Sequence, residues 1–417
     1  MERNWCGELV YQAAEVRSPT TVDELQALVA SAATVRALGT RHSFSTVADT
    51  PGGLLLDVTH LDTGITVDHQ AMTATVPAGA PYGVVADALH AEGVALPNLG
   101  SLPHISVAGA TATATHGSGD TNQVLSAAIV GLELITADGT LTSIDRASAD
   151  LPALAVGLGA FGVITRVTLA VEPTYQVAQD VYLQPTWATF LGRLDEIMAS
   201  AYSVNVHGHF APDDLRAFWI KQRLDVDAHG APVPPERPPT WFGATLHEGA
   251  ARSPSHTVIG GVPGPWSERL AHFRIEAPPS LGGDELQSEY MVARADAPDA
   301  LRALRRMGDA IDPHLHGFEL RSIAADDLWM SPAYGRDTFS IGFTWKQHPA
   351  EVRALLPPIE EALAPFAPRP HMGKLFAMGR SELADRLDRL DDWLALVDAY
   401  DPTGAFANPF LAALRPG

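Results

Sequence analysis

The spacing of apolar residues is most regular near the start of the chain. Over 22–33 (VDELQALVASAA), Leu25, Leu28 and Val29 recur at helical intervals, which predicts a helix with one face turned inward. Thr21 and Glu24 precede it as a capping box, a hydroxyl and a carboxylate placed to satisfy free N–H groups of the first turn. Val35-Arg36-Ala37-Leu38 then reads as a short strand running into a tight loop, Gly39-Thr40-Arg41-His42-Ser43-Phe44. Strands are predicted at 54–58 and 74–79, and a helix near 82–92. Helix, strand, loop, strand, strand, helix is not a strict alternation, so the expected class is α+β.

Residues 95–119 (ALPNLGSLPHISVAGATATATHGSG) consist largely of Gly, Ala, Ser and Thr. Few side chains hold that backbone away from a large ligand. A flexible linker has similar composition, but the interleaved Leu, Ile and Val favour burial. Over 127–171 the pattern predicts a strand at 129–135, a turn at Ala137-Asp138-Gly139, a second strand, a helix, and a strand at 163–171. After Glu172-Pro173 the composition shifts toward Trp and Pro, with an irregular loop at 227–240. A chain of 417 residues exceeds one ordinary domain. The expected division is a first domain at 1–173, a second at 174–367, and a return at 368–417 to the first.

Composition narrows the function. The net charge of −21 opposes nucleic acid or an anionic membrane as partner, because neutralising phosphate needs Lys and Arg. Cys6 is the single cysteine, which rules out an intramolecular disulfide and any Cys-based metal cluster. No apolar run is long enough for a signal segment or a membrane span, so a soluble cytoplasmic enzyme is expected.

Gly157-Leu158-Gly159-Ala160-Phe161-Gly162 matches the G-x-G-x-x-G pattern of dinucleotide sites. That site needs a strand before it and a helix after it, so that pyrophosphate meets a helix N-terminus. Here a helix precedes and a strand follows, and the motif is set aside. The loop at 39–43 has the better geometry, a strand ending in a run of N–H groups able to hold an anion. Its His42 reads either as a surface residue or as a ring nucleophile toward a cofactor. The pairs His207/His209 and His314/His316 each share a strand face, but no third ligand stands at metal-site spacing. They are read as core or surface histidines, and no metal is expected. In 318–346, Glu319 and Arg321 alternate onto one face, as do Gly342 and Thr344. Two such strands, paired, offer an acceptor, a charged donor and a hydroxyl to a polyhydroxylated ligand; a solvated strand face with an exposed ion pair is the plainer alternative.

At these residues the chain resembles the alditol (xylitol) oxidases of the vanillyl-alcohol oxidase flavoprotein family. The likeness spans nearly the whole chain, through RALGTRHSF (36–44), the small-residue stretch 101–119, GLGAFGVITRVTL (157–169), ELQSEY (285–290), FELR (318–321), WMSPAYGRDT (329–338), FTW (343–345), RPHMGK (369–374) and DPTGAFANPF (401–410). It implies a two-part FAD-binding domain with an α+β cap over the flavin. It also implies FAD bonded covalently to His42. The implied flavin contacts are Gly39, Thr40, Arg41, His42, Ser43 and Phe44, then Ser101, Ser106, Gly109, Thr113, His116 and Gly117, then Gly162, Val163 and Ile164, with Gln287, His371 and Asn408. The implied substrate site is Ser101, Glu319, Arg321, Thr344 and Lys374, of which Arg321, Lys374 and Glu319 are catalytic. The implied reaction oxidises a primary hydroxyl of a polyol such as xylitol, sorbitol or glycerol, with O2 reduced to H2O2. Gly100, just before Ser101, would leave room for O2. A sugar-1,4-lactone oxidase or dehydrogenase on the same fold is the alternative. Two departures stand out. Gly342 replaces a His of close relatives, and Arg41 stands where some relatives have Gly.

Overall fold

A computed structural model describes residues 2–61, 63–249, 253–278 and 281–416, and the statements below concern these residues. The first helix runs from Val22 to Ser31 with Leu25 and Val29 fully buried. Thr21 Oγ1 accepts from the Glu24 N–H at 3.2 Å, and the Glu24 carboxylate reaches the Thr20 N–H at 3.1 Å. Next to this helix, Leu54–Asp57 pairs in parallel with both Glu15–Arg17 and Val35–Leu38. The strand predicted at 54–58 ends one residue early, because the Asp57 carboxylate accepts from the Thr59 N–H and opens a 3₁₀ turn.

A second sheet is antiparallel, in the order Thr66–Asp68, Thr73–Pro77, Val163–Ala170, Ile129–Ile135, Leu141–Asp145. The helix Leu151–Leu154 precedes the glycine loop at 157–162 and the strand Val163–Ala170 follows it, so the order is indeed opposite to that of a dinucleotide fold. Gly162 sits at φ +149, and a Cβ there would lie 2.6 Å from the Ile135 carbonyl, so close strand contact excludes a side chain. Within 95–119 the structure adds a helix, Val107–Ala112, that the sequence reading did not predict.

The third sheet is the largest and supplies the roof of the site. Its strands lie in the order Thr240–Trp241, Ala244–Leu246, Gln176–Leu183, Ala217–Arg223, Ser203–Gly208, Leu315–Ile323, Thr338–Trp345, Leu286–Ala293, Arg369–Pro370, with Gly264–Pro265 also on Gln176–Leu183. Every pairing in it is antiparallel. The C-terminal residues pack back on the first part of the chain. Trp393 meets Phe161 edge-on at 5.5 Å and donates to the Ala153 carbonyl, and Phe406 joins the cluster of Leu25, Val29, Val35 and Leu56.

Candidate active site

A cavity of about 690 Å³ lies between the glycine-rich loops and the large sheet. One wall is the loop at 39–44. Thr40 Oγ1 accepts from the Ser106 N–H at 2.9 Å and lies 3.1 Å from His42 Nδ1, which ties the two small-residue segments together. A Cβ on Gly39 would fall 2.3 Å from Ser106 Oγ, so only glycine lets the segments approach this closely. Arg41 adopts φ +63, a left-handed conformation that glycine takes at no steric cost. Ion pairs from Arg41 to Glu2 (2.8 Å) and Asp57 (2.7 Å) hold the side chain there.

His42 stacks on Trp5, ring centroids 5.4 Å apart. Burial, with the neighbouring His104, pushes its pKa down to about 4, so the ring is neutral at pH 7. Its Nε2 is buried and has no hydrogen-bonding partner. A neutral imidazole with one nitrogen beside Thr40 and the other unsatisfied in a cavity of this size fits a large ligand beside it. Cavity volume, glycine lining and that orphan nitrogen all suit a dinucleotide-sized flavin.

At the far end the two paired strands do what their alternation suggested. Leu315–Ile323 and Thr338–Trp345 are antiparallel, with Glu319 opposite Gly342, Arg321 opposite Ser340, and Thr344 opposite Gly317. Arg321 Nη2 donates to Ser101 Oγ at 2.6 Å and to the Glu319 carboxylate, and its Nη1 reaches the His116 carbonyl at 3.3 Å. Burial opposes ionisation of Glu319, yet Arg321 and His207 hold its pKa below the ordinary value. Lys374, held by an N–H bond to the His371 carbonyl, places Nζ 2.7 Å from Glu289 Oε2. Ser101, Glu319, Arg321, Thr344 and Lys374 therefore all face the cavity.

Most of the residues expected around the flavin also line it: Gly39, Thr40, Arg41, His42, Ser43, Phe44, Ser106, Gly109, Thr113, His116, Gly162, Ile164, Gln287 and His371. Three do not. Gly117 is closed in by Asn98 and Leu99, where a Cβ would meet Asn98 Oδ1 at 2.1 Å. Val163 is fully buried against Leu25 and Phe406. Asn408 caps the helix Pro409–Ala412 and donates to the Val47 and Asp49 carbonyls, so its amide is fully used in the framework.

The structure also brings in residues the sequence reading missed. Glu289 is buried between Lys374 and His116, whose Nε2 lies 3.1 Å from Glu289 Oε1, with Ser340 donating to the same oxygen. Burial opposes its ionisation, but Lys374 and His116 hold its pKa well below the carboxylate range. Its alternation with Gln287 in ELQSEY was the available signal. Asn205, His207 and His272 gather around Glu319 from segments distant in sequence, and only tertiary structure shows this. His316 lines the cavity as well, whereas His209 and His314 do not.

Known proteins agree with this geometry. An FAD binding domain family matches residues 13–145, and a D-arabinono-1,4-lactone oxidase family matches 284–414. An alditol oxidase of Streptomyces sp. is 41% identical, over 99% of both chains. An L-gulono-1,4-lactone dehydrogenase of Mycobacterium tuberculosis is 30% identical, over 98% of this chain and 97% of that one. The cholesterol oxidase of B. sterolicum superposes with TM-score 0.79 at 16% identity, covering 99% of this chain and 96% of its own, a likeness of fold. With such identity along its whole length, the chain belongs to the alditol oxidase family of FAD-dependent flavoproteins.

Proposed function

We propose that this protein oxidises a terminal CH–OH group of a small polyol of the xylitol, sorbitol and glycerol class, with FAD bonded to His42 and O2 as final acceptor. The balanced reaction is R–CH2OH + O2 → R–CHO + H2O2. The flavin, when bound, supplies the two-electron acceptor and its reoxidation by O2. The observation that carries the reading is that Ser101, Glu319, Arg321, Thr344 and Lys374 line one cavity, donors and acceptors together, with Arg321 bonded to Ser101 and Glu319.

In this reading the protein's residues divide the work. Glu319, Ser101 and Thr344 bind hydroxyls next to the reacting carbon and fix its orientation. Arg321 and Lys374 face the reacting hydroxyl and stabilise the negative charge that grows on its oxygen as the proton leaves. Glu289 holds Lys374 in place. The neutral His42 ring has the lone pair that a bond to carbon requires.

A second reading has its own observation, the lactone oxidase match over 284–414, which covers Glu319, Arg321, Thr344 and Lys374. A substrate panel scored by peroxide release separates the two. Xylitol and sorbitol should turn over faster than L-gulono-1,4-lactone. Turnover of the lactone alone overturns the polyol assignment, and flavin reduction without peroxide overturns O2 as acceptor.

A further inference from the structure

Two polar atoms in the roof of the cavity are buried without a partner, and their side chains both stand beside Glu319. They are His207 Nε2 and Asn205 Oδ1. Both side chains come from the strand Ser203–Gly208, where alternate residues share a face. His272 arrives from a loop and sets its Nε2 beside Asn205 Nδ2. Glu319 completes the group, with Oε1 3.8 Å from His207 Nε2 and 3.6 Å from His272 Nε2. One ligand atom from each of His207, His272 and Glu319 lies within 4.8 Å of the others.

We propose that His207, His272 and Glu319 form a binding site for a divalent transition ion of the Zn2+ class, with the Asn205 amide oxygen as fourth ligand. Two imidazoles and two oxygens are a donor set suited to Zn2+ in tetrahedral geometry. Bonds of about 2.0–2.1 Å place tetrahedral ligands roughly 3.4 Å apart, so small side-chain rotations close the cluster onto an ion. Rotating the Asn205 amide by a half-turn puts Oδ1 where Nδ2 now lies, 3.0 Å from Glu319 Oε1. Two acceptor oxygens that close need a cation between them, and an ion placed there would also give the unpartnered His207 Nε2 a ligand bond.

The nearby cations leave the site usable. Arg321 occupies the other Glu319 oxygen, Oε2, and leaves Oε1 to the ion. Lys221 is buried and directs its Nζ to the Leu270 and Ala271 carbonyls rather than at the cluster. Burial also lowers its pKa to about 7, which reduces the opposing charge. Burial keeps both imidazoles neutral, with lone pairs available.

Because Glu319 is shared, ion and polyol exclude one another. That competition rests on the function proposed above, whereas the ion site itself does not. The test is equilibrium dialysis of the flavin-loaded protein with Zn2+ alone, after chelator treatment and at neutral pH. The exposed pair His314 and His348, with Nδ1 atoms 3.0 Å apart, is a competing surface site, so His348→Ala serves as the control. Wild type and His348→Ala should bind Zn2+ alike. His207→Ala and His272→Ala should bind at least about 10-fold more weakly, since loss of even a supporting residue costs 10–100-fold. Co2+ substitution should give a visible absorption band of tetrahedral Co2+, read in difference against the flavin, that His207→Ala abolishes; this second readout applies if His272→Ala fails to fold. Absence of tight Zn2+ binding in wild type, or unchanged binding in His207→Ala, overturns the site. Zn2+ bound through His207 but not displaced by xylitol leaves the site standing and overturns the placement of polyol on Glu319.

Discussion

Replacing Glu289 by Gln tests how the site is held together. The Glu289 carboxylate is 4% exposed and serves three neighbours: Lys374 Nζ at 2.7 Å, His116 Nε2 at 3.1 Å, and the Ser340 hydroxyl. Gln keeps the shape but has one acceptor oxygen and an NH2. If the oxygen turns to Lys374, the NH2 meets Ser340 and His116; if it turns away, the NH2 opposes the ammonium. Removing one partner of a buried ion pair costs about 3–5 kcal/mol. The Lys374 side chain is 22% exposed, so water relieves part of that and the lower end, about 3 kcal/mol, is expected. A lysine displaced by about 1 Å lowers turnover by about 10²-fold, equivalent to roughly 2.7 kcal/mol of barrier. The assay is peroxide release from xylitol with flavin content and Tm measured on the same preparation. A pH series adds a second check. Glu289 titrates well below its ordinary value of 4.5 in the folded state, so its stabilisation is complete above that value and is lost as pH falls through the depressed one. The Tm gap between wild type and Glu289→Gln should therefore be constant above pH 4.5 and shrink below it. A kcat/KM within about twofold of wild type at equal flavin content, or a Tm gap independent of pH, refutes the reasoning.

Three further substitutions follow from the same geometry. Acid-precipitated wild type should stay yellow and carry FAD mass on the His42 peptide, and His42→Ala should lose both; free flavin in the wild-type supernatant would exclude the bond. A Cβ at Gly100 meets only ordinary contacts, Thr115 at 3.5 Å and Ile105 at 3.6 Å, so packing does not demand glycine there. Gly100→Val should therefore fold, slow flavin reoxidation by O2 and spare anaerobic reduction by polyol, and stopped-flow traces with an unchanged reoxidation rate would count against an oxygen path. Gly342 lies between Glu319 and Glu289, where a Cβ would sit 3.3 Å from the Glu319 carbonyl and 3.4 Å from Glu289 Oε1. Gly342→His adds one hydrogen bond to a distal hydroxyl, worth about 0.5–1.5 kcal/mol, so the sorbitol-to-glycerol ratio of kcat/KM should rise roughly 2- to 10-fold. An unchanged ratio with normal flavin content sinks that idea.

What could be read from sequence follows the physics of each element. Glu319, Arg321 and Thr344 were legible because a strand repeats every two residues, and the pairing of the two strands needed only their adjacency in the chain. The rejection of the glycine motif rested on element order alone, and the order proved right. The helix Val107–Ala112 was missed because VAGATA has no apolar–polar contrast from which a period can be read. Asn408 was placed on the cofactor through its segment as a whole, and such a match does not separate a residue that touches ligand from one that caps the helix beside it. His272 had no local signal. It reaches Glu319 from a loop, and its neighbours Asn205 and His207 belong to another strand.

The arrangement of charge in the cavity also bears on the kind of substrate. A protein with net charge −21 repels anions at a distance, so cations in its cavity would have to attract an anionic substrate locally. They are already engaged. Arg321 is paired with Glu319 and Lys374 with Glu289, and both carboxylates are held ionised against burial. An acidic sugar would have to displace a buried carboxylate and leave that charge unpaired, which costs several kcal/mol. A neutral hydroxyl displaces nothing. It donates to one carboxylate and accepts from the adjacent cation while the ion pair persists. Two intact ion pairs on either side of Gly342 thus form a preorganised surface for vicinal hydroxyls, and the same pairs disfavour carboxylates.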